Sequence, residues 1–149
     1  GIGVALGEEI SGRREMYITQ VFTRVPPKLD PAVASETLRQ KVAAANRVVS
    51  RSTTLQEIAQ QFAEALAAGR SREDAYQLVR RRLDGVGKLY QRFGTVITAT
   101  GNLDVLDGAA LVGDSVVDEV AVGVAQGVHP DIGEGAFWIV LLLANRRVP

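Results

Sequence analysis

The chain has 149 residues, 46 % of them hydrophobic and 23 % charged, enough to bury a core in one domain. Its 17 basic and 17 acidic residues balance, so no long-range field draws it to nucleic acid or to an anionic membrane. There is no cysteine, which excludes structural disulfides, thiolate metal sites and cysteine nucleophiles.

No apolar run reaches the roughly 18 residues that a membrane helix needs. The chain opens on Gly1-Ile2-Gly3, inside a strand pattern, with no Met and no charged leader. It therefore reads as processed or truncated, with a targeting segment or more expected ahead of it. Residues 2–7 and 16–23 read as a β-hairpin around a polar loop, Glu8–Glu15, with Gly12 at its tip. Met16, Ile18, Gln20 and Phe22 alternate with Tyr17, Thr19, Val21 and Thr23, a pattern suited to a sheet edge or a wet face. Arg24–Pro31 carries three prolines and reads as a stiff connector leading off the sheet.

A first helix is expected from Ala32 or Ser35 to Arg51, with Asp30-Pro31 as an earlier start. Leu38, Val42, Ala45 and Val49 mark its buried stripe. A second helix starts at Thr54, where Thr54-Leu55-Gln56-Glu57 has capping-box spacing, and stops at Gly69. Leu55, Ile58, Ala59, Phe62, Ala63 and Leu66 form its apolar face, and the two alanines admit a close neighbour. A third helix is capped by Ser71, buries Ala75, Leu78, Val79 and Leu83, and ends at Gly85 and Gly87.

Thr95–Thr100 is β-branched and reads as a strand, and Leu103–Val112 as a short helical stretch stopped by Gly113. Two apolar runs follow, Val120–Ala125 and Phe137–Leu143, joined by the turn-rich Gly127–Gly135. Phe137–Leu143 holds no polar residue, which suits a central strand covered on both faces. This second hairpin matches the first. Ile2-Gly3-Val4-Ala5-Leu6-Gly7 aligns with Val122-Gly123-Val124-Ala125-Gln126-Gly127, and Tyr17–Phe22 with Trp138–Leu143. The offset is about 120 residues, one domain length, as an internal repeat would give.

Helix, helix, helix, strand, short helix and a Gly-Val-Ala hairpin follow in that order, and the first hairpin contains Tyr17-Ile18-Thr19-Gln20-Val21-Phe22. In these features the chain resembles the CAP superfamily (cysteine-rich secretory proteins, antigen 5, pathogenesis-related 1), also called SCP-like. Bacterial members close with a "vGvGva" strand and a "Y-x-T-Q-v-F" strand. Residues 1–23 resemble that end closely. Residues 36–144 resemble a whole but divergent domain, with Asn46-Arg47 similar to the first-helix pattern and Ala59 and Ala63 to the second helix. The resemblance implies an α/β (α+β) fold: an α-β-α sandwich with a central, mostly antiparallel sheet. It divides the chain into 1–23, the C-terminal hairpin of a preceding domain; 24–34, a Pro-rich linker; and 35–149, a divergent domain. It also implies an exported bacterial protein, outside the cytoplasm. The leading hairpin would have an exposed edge, and is expected to extend the second domain's sheet or to swap into a neighbouring chain as a homodimer contact.

Many members of the family carry two histidines and two acids in a cleft, sometimes metal-bound. This chain has one histidine. The family histidine before Tyr-Thr-Gln falls at Tyr17, with Trp138 as the equivalent in the second hairpin, so the metal tetrad is lost and no cofactor is expected. His129, Asp131 and Glu134 could form a weak metal or pH-sensing site. A solvated turn is the simpler reading, because a stable zinc site wants three or four placed ligands. Glu8, Glu9 and Glu15 could do acid–base work, but a solvated loop is again simpler. The basic run from Arg70 through Arg80, Arg81 and Arg82 to Arg92 is interspersed with Glu73, Asp74 and Asp84, as on a solvated helix face. Gly85-Val86-Gly87-Lys88 lacks phosphate-loop spacing, and no Gly-x-Ser-x-Gly supports a catalytic triad.

The expected function is a non-enzymatic interaction or structural module. Its binding groove would lie at loops 8–15 and 127–135, with Tyr17, Gln20, His129 and Trp138 facing a protein or cell-envelope ligand. One rival is a hydrolase acting on a cell-wall or peptide substrate through Glu and His129. Another is an adaptor that dimerises through residues 2–22.

Overall fold

The computed structural model describes residues 1–22, 28–45 and 50–147. The elements run β1 (Ile2–Ile10), β2 (Arg13–Gln20), α1 (Pro31–Ala45), α2 (Thr53–Ala67), α3 (Arg72–Gly87), β3 (Tyr90–Thr100), a 3-10 turn (Leu103–Val105), α4 (Gly108–Val112), β4 (Glu119–His129) and β5 (Gly133–Arg146). The fold is α+β, with three antiparallel strands in the order β3-β5-β4 and helices on both faces.

β5 is the middle strand, and its apolar run serves two cores. Val140, Leu142 and Ala144 point to one side, where α2 contributes Leu55, Ile58, Phe62 and Leu66, and α3 contributes Ala75, Val79 and Leu83. Phe137, Ile139, Leu141 and Leu143 point to the other, against Ala34, Leu38 and Val42 of α1 and Val112 of α4. This is why the run tolerates no polar residue. A strand that alternates between two dry layers must be apolar at every position. The expected α-β-α layering is therefore the observed one.

Several element ends differ from the sequence reading. α1 takes the earlier start, because Asp30 caps it: Asp30 Oδ1 accepts from the amides of Ala32 at 2.8 Å and Val33 at 3.4 Å. Ser35 is buried instead of capping. α2 is capped by Ser52, whose hydroxyl accepts from the Leu55 amide, so Thr54 is already helical and Glu57 is free to pair with Arg82. Ser71 caps α3 as expected, but Gly85 and Gly87 lie within that helix and Leu78 is exposed. β3 begins five residues earlier than Thr95, at Tyr90. The two hairpins have tighter turns than expected. Ser11 and Gly12 both have positive φ, 54° and 75°, the conformation of a two-residue primed turn. Glu8, Glu9 and Glu15 therefore sit on strands, not in a loop. The connector prolines Pro26 and Pro27, and the Asn46-Arg47 pair and Val49 of the expected first helix, lie outside the described residues.

The leading hairpin does not extend the three-stranded sheet. β1 and β2 form a separate two-stranded sheet, and every residue in them except Gly7 is exposed. One edge of the larger sheet, β4, is closed to an added strand by α2. Gln56 Nε2 donates to the Val122 carbonyl at 2.7 Å while its Oε1 accepts from the Val122 amide at 3.2 Å. Gln60 does the same at Val124, at 2.9 and 3.1 Å. The spacing follows from geometry. Four helix residues advance about 6 Å and two strand residues about 6.7 Å, so glutamines at i and i+4 meet strand residues at i and i+2.

That match requires α2 to lie against β4 with little between them. A Cβ on Gly123 would sit 2.0 Å from the Ala59 carbonyl oxygen, and one on Gly127 would sit 2.2 Å from that of Ala67. Ala59, Ala63 and the two strand glycines leave the main chains of helix and strand in direct contact.

Candidate functional site

The expected groove residues do not converge. His129 and Trp138 are neighbours on the second hairpin, with ring centroids 4.9 Å apart. Trp138 is half-buried against the α2 core and donates its indole N–H to the Val128 carbonyl at 3.1 Å. His129 Nδ1 accepts from the Asp131 amide at 3.2 Å, which fixes the ring over the turn. Among the described residues, no three of His, Asp and Glu are grouped so as to hold a metal ion, and His129, Asp131 and Glu134 are no exception. Tyr17 and Gln20 belong to the other sheet. The Tyr17 hydroxyl donates to Glu15 at 2.6 Å, and that bond raises its pKa. Glu9 pairs with Arg14 at 3.5 Å on the same hairpin.

A polar cluster that the sequence reading missed lies at the other end of the sheet. Glu119, at the start of β4, is wholly buried. It accepts from the Tyr90 hydroxyl at 2.6 Å, from the Ser50 hydroxyl at 3.2 Å, and from Arg146 Nε. Tyr90 opens β3 and Arg146 closes β5, so one carboxylate ties the ends of all three strands. Burial pulls the Glu119 carboxyl upward, but Tyr90, Arg146 and Ser50 outweigh it and hold it below the usual range. Burial and the Glu119 bond push the Tyr90 phenol up. Every bond that holds this group is made within the fold, so the cluster acts as a structural clasp.

Two further polar features join layers. The Lys41 ammonium of α1 donates to the carbonyls of Leu103, Asp104 and Leu106 at 3.3–3.4 Å, anchoring the 3-10 turn. A cleft of about 560 Å³ lies between α1 and α2, lined by Ser35, Glu36, Gln56, Gln60 and Glu64 among others. Gln60 uses its full bonding capacity there, since it also accepts from Ser35 and donates to Glu64. Glu36 is bridged by Arg39 at 2.7 Å and by Gln40, and these bonds lower its pKa to about 2.

The most unusual surface is the leading hairpin. Cross-strand neighbours share a face, so Ile2, Val4 and Leu6 stand beside Met16 and Ile18. These five are 57–71 % exposed, a contiguous apolar face that no described residue covers. The opposite face carries Gly3 and Ala5 beside Thr19 and the exposed Tyr17 ring.

The two hairpins also share a register. Ile2–Gln20, Gly3–Thr19, Val4–Ile18, Ala5–Tyr17 and Leu6–Met16 correspond in turn to Val122–Leu141, Gly123–Val140, Val124–Ile139, Ala125–Trp138 and Gln126–Phe137. Each hairpin slips register just past these pairs, at the second glycine of the motif. The exposed apolar face of the first thus corresponds to the α1-covered face of the second, and its glycine face to the α2-covered one.

No protein-family model matches this chain, and no curated protein or solved structure matches it. No helix among the described residues is long and apolar enough to cross a membrane.

Proposed function

We propose that this chain is a non-enzymatic, divergent CAP-like structural and interaction module of an exported bacterial protein, and that it engages its neighbour through the hairpin 2–20. The carrying observation is the open apolar face of Ile2, Val4, Leu6, Met16 and Ile18. A patch of that kind marks a contact surface. The three-layer fold and the common register of the two hairpins support the family reading and the internal repeat. Residues 2–20 would then repeat the closing hairpin of the unit that starts with α1 at Pro31.

The test is dye binding. The chain should bind 8-anilinonaphthalene-1-sulfonate, and the double variant Val4→Lys/Ile18→Glu should lose most of that signal. The two new charges sit opposite each other and keep the hairpin paired. The melting temperature of the sandwich should stay unchanged. Undiminished dye binding by the variant would refute the reading.

A further inference from the structure

We infer that the open edge of β3 is a docking surface for β1 of a second copy of this chain, so that the hairpin of one copy widens the three-stranded sheet of another. This rests on the contact-surface reading of the hairpin and names its partner.

Both elements are incomplete by themselves. A two-stranded ribbon with no third strand and no helix over it is marginal in water, and β1 and β2 form such a ribbon. β3 is an edge strand, and Gln91–Thr95 are exposed along it. A row of edge amides and carbonyls is completed by an added strand, with side-chain pockets choosing which strand. The other edge, β4, is occupied at Val122 and Val124 by Gln56 and Gln60. The hairpin lies in a sheet of its own and leaves the β3 of the same copy uncovered.

Side-chain size and charge set the direction and the register. Antiparallel addition with Leu6 opposite Gly94 puts Val4 opposite Val96 and Ile2 opposite Thr98. On the other face Gly3 then stands opposite Ile97, and Gly7 falls at Phe93. Large side chains therefore meet glycine on both faces. The Leu6 side continues the face of the sheet that carries Val96. On that face a groove of about 750 Å³ runs beside β3, lined by Gly94, Leu143, Val116 and Val117 among others. A Cβ on Gly94 would meet only the Leu143 side chain, at 3.9 Å, so the space above it is open. Leu6 is 63 % exposed and Val116 82 %, and seating Leu6 in this groove shields both from water. The same register carries Glu8 and Glu9, at the register slip of β1, to Arg92. Neither Glu8 nor Arg92 has an ion-pair partner among the described residues. A parallel strand would carry the two glutamates to the far end of β3, away from Arg92.

The first experiment is cross-linking. The chain has no cysteine, so introduced thiols report this contact alone. Leu6→Cys chains are mixed with Gly94→Cys chains and oxidised in air, beside a second mixture of Leu6→Cys with Thr98→Cys. Directly opposed residues of an antiparallel pair lie within disulfide reach, whereas four residues along a strand is about 13 Å. The 6–94 heterodimer should exceed the 6–98 one about tenfold by mass spectrometry. The second experiment is sedimentation equilibrium. Arg92→Glu and Glu8→Lys should each weaken self-association about 10-fold, since like charges then face each other. An equimolar mixture of these two variants should recover it, because each hairpin then meets an opposite charge. Monomer at every concentration, equal linking at 94 and 98, or no recovery in the mixture overturns the inference. Linking of 6 to 94 only inside a single chain that carries both cysteines overturns it in favour of the chain's own hairpin. A monomer that still loses dye binding in the Val4→Lys/Ile18→Glu variant keeps its contact surface and loses only the second copy as partner.

Discussion

Gln60 of α2 and Val124 of β4 exchange two hydrogen bonds, so a side-chain amide stands where the peptide of a neighbouring strand would be. Gln56 repeats the arrangement at Val122. Replacing either glutamine by leucine strands one amide and one carbonyl of β4 in a partly buried setting, at about 2 kcal/mol per site. Denaturant unfolding of Gln56→Leu and Gln60→Leu should show that loss. A change below about 0.5 kcal/mol in both, the level of an ordinary surface substitution, would contradict the edge-capping role.

Gly123→Ala should be among the most damaging single changes in the chain, since the atoms it meets are helix backbone and cannot rotate away. The expected loss is about 3 kcal/mol or more, or failure to fold. Gly94→Ala on β3 is the control. Its added Cβ meets only the Leu143 side chain, at 3.9 Å, and the melting temperature should hold or rise slightly.

The Glu119 clasp predicts a pH window. The carboxyl pKa is lowered in the folded state, so its contribution is present above the unfolded carboxylate pKa of about 4.3 and is lost as pH falls through the folded value. The Tyr90 pKa is raised, so its contribution is complete below the unfolded value of about 10 and is lost as pH rises through the folded one. Tyr90→Phe should flatten the alkaline limb of a stability–pH curve, and Glu119→Gln the acid limb. Unaltered limbs in both variants would show that the clasp does not govern either.

Glu36 should titrate near 2, measured by carboxyl carbon chemical shift, and Arg39→Ala should return it toward the ordinary range. By the same linkage, its stabilising share fades as pH drops from about 4.3 toward 2. Both partners are partly exposed, so added salt should weaken the effect.

Much of the layering was legible in the residues. The stripes Leu38 and Val42, Leu55 to Leu66, and Ala75, Val79 and Leu83 fall at helical period and are buried. The unbroken run Phe137–Leu143 announced a strand with two dry faces. Gly3 pairs with Thr19 as Gly123 does with Val140, and Val4 with Ile18 as Val124 does with Ile139. What stayed hidden depended on partners far away in the chain. Gln56 and Gln60 look like any solvent face until α2 is known to run along β4, and their i, i+4 spacing against i, i+2 is the signal that could have revealed them. Glu119 looks like the polar lead-in to an apolar run, because its partners Ser50, Tyr90 and Arg146 lie 27 to 69 residues away. The start of β3 was masked by Gln91, Arg92 and Gly94, which suit an edge strand with its outer side in water.

The stoppered side of the central sheet gives assembly a direction. With glutamine amides occupying the outer rail of β4 at Val122 and Val124, a strand joining this sheet is directed to β3, the other edge. Lateral growth of the three-stranded sheet, whether orderly or pathological, is thereby directed to the β3 flank. Charges introduced along Gln91–Thr95 would be the economical means of blocking it.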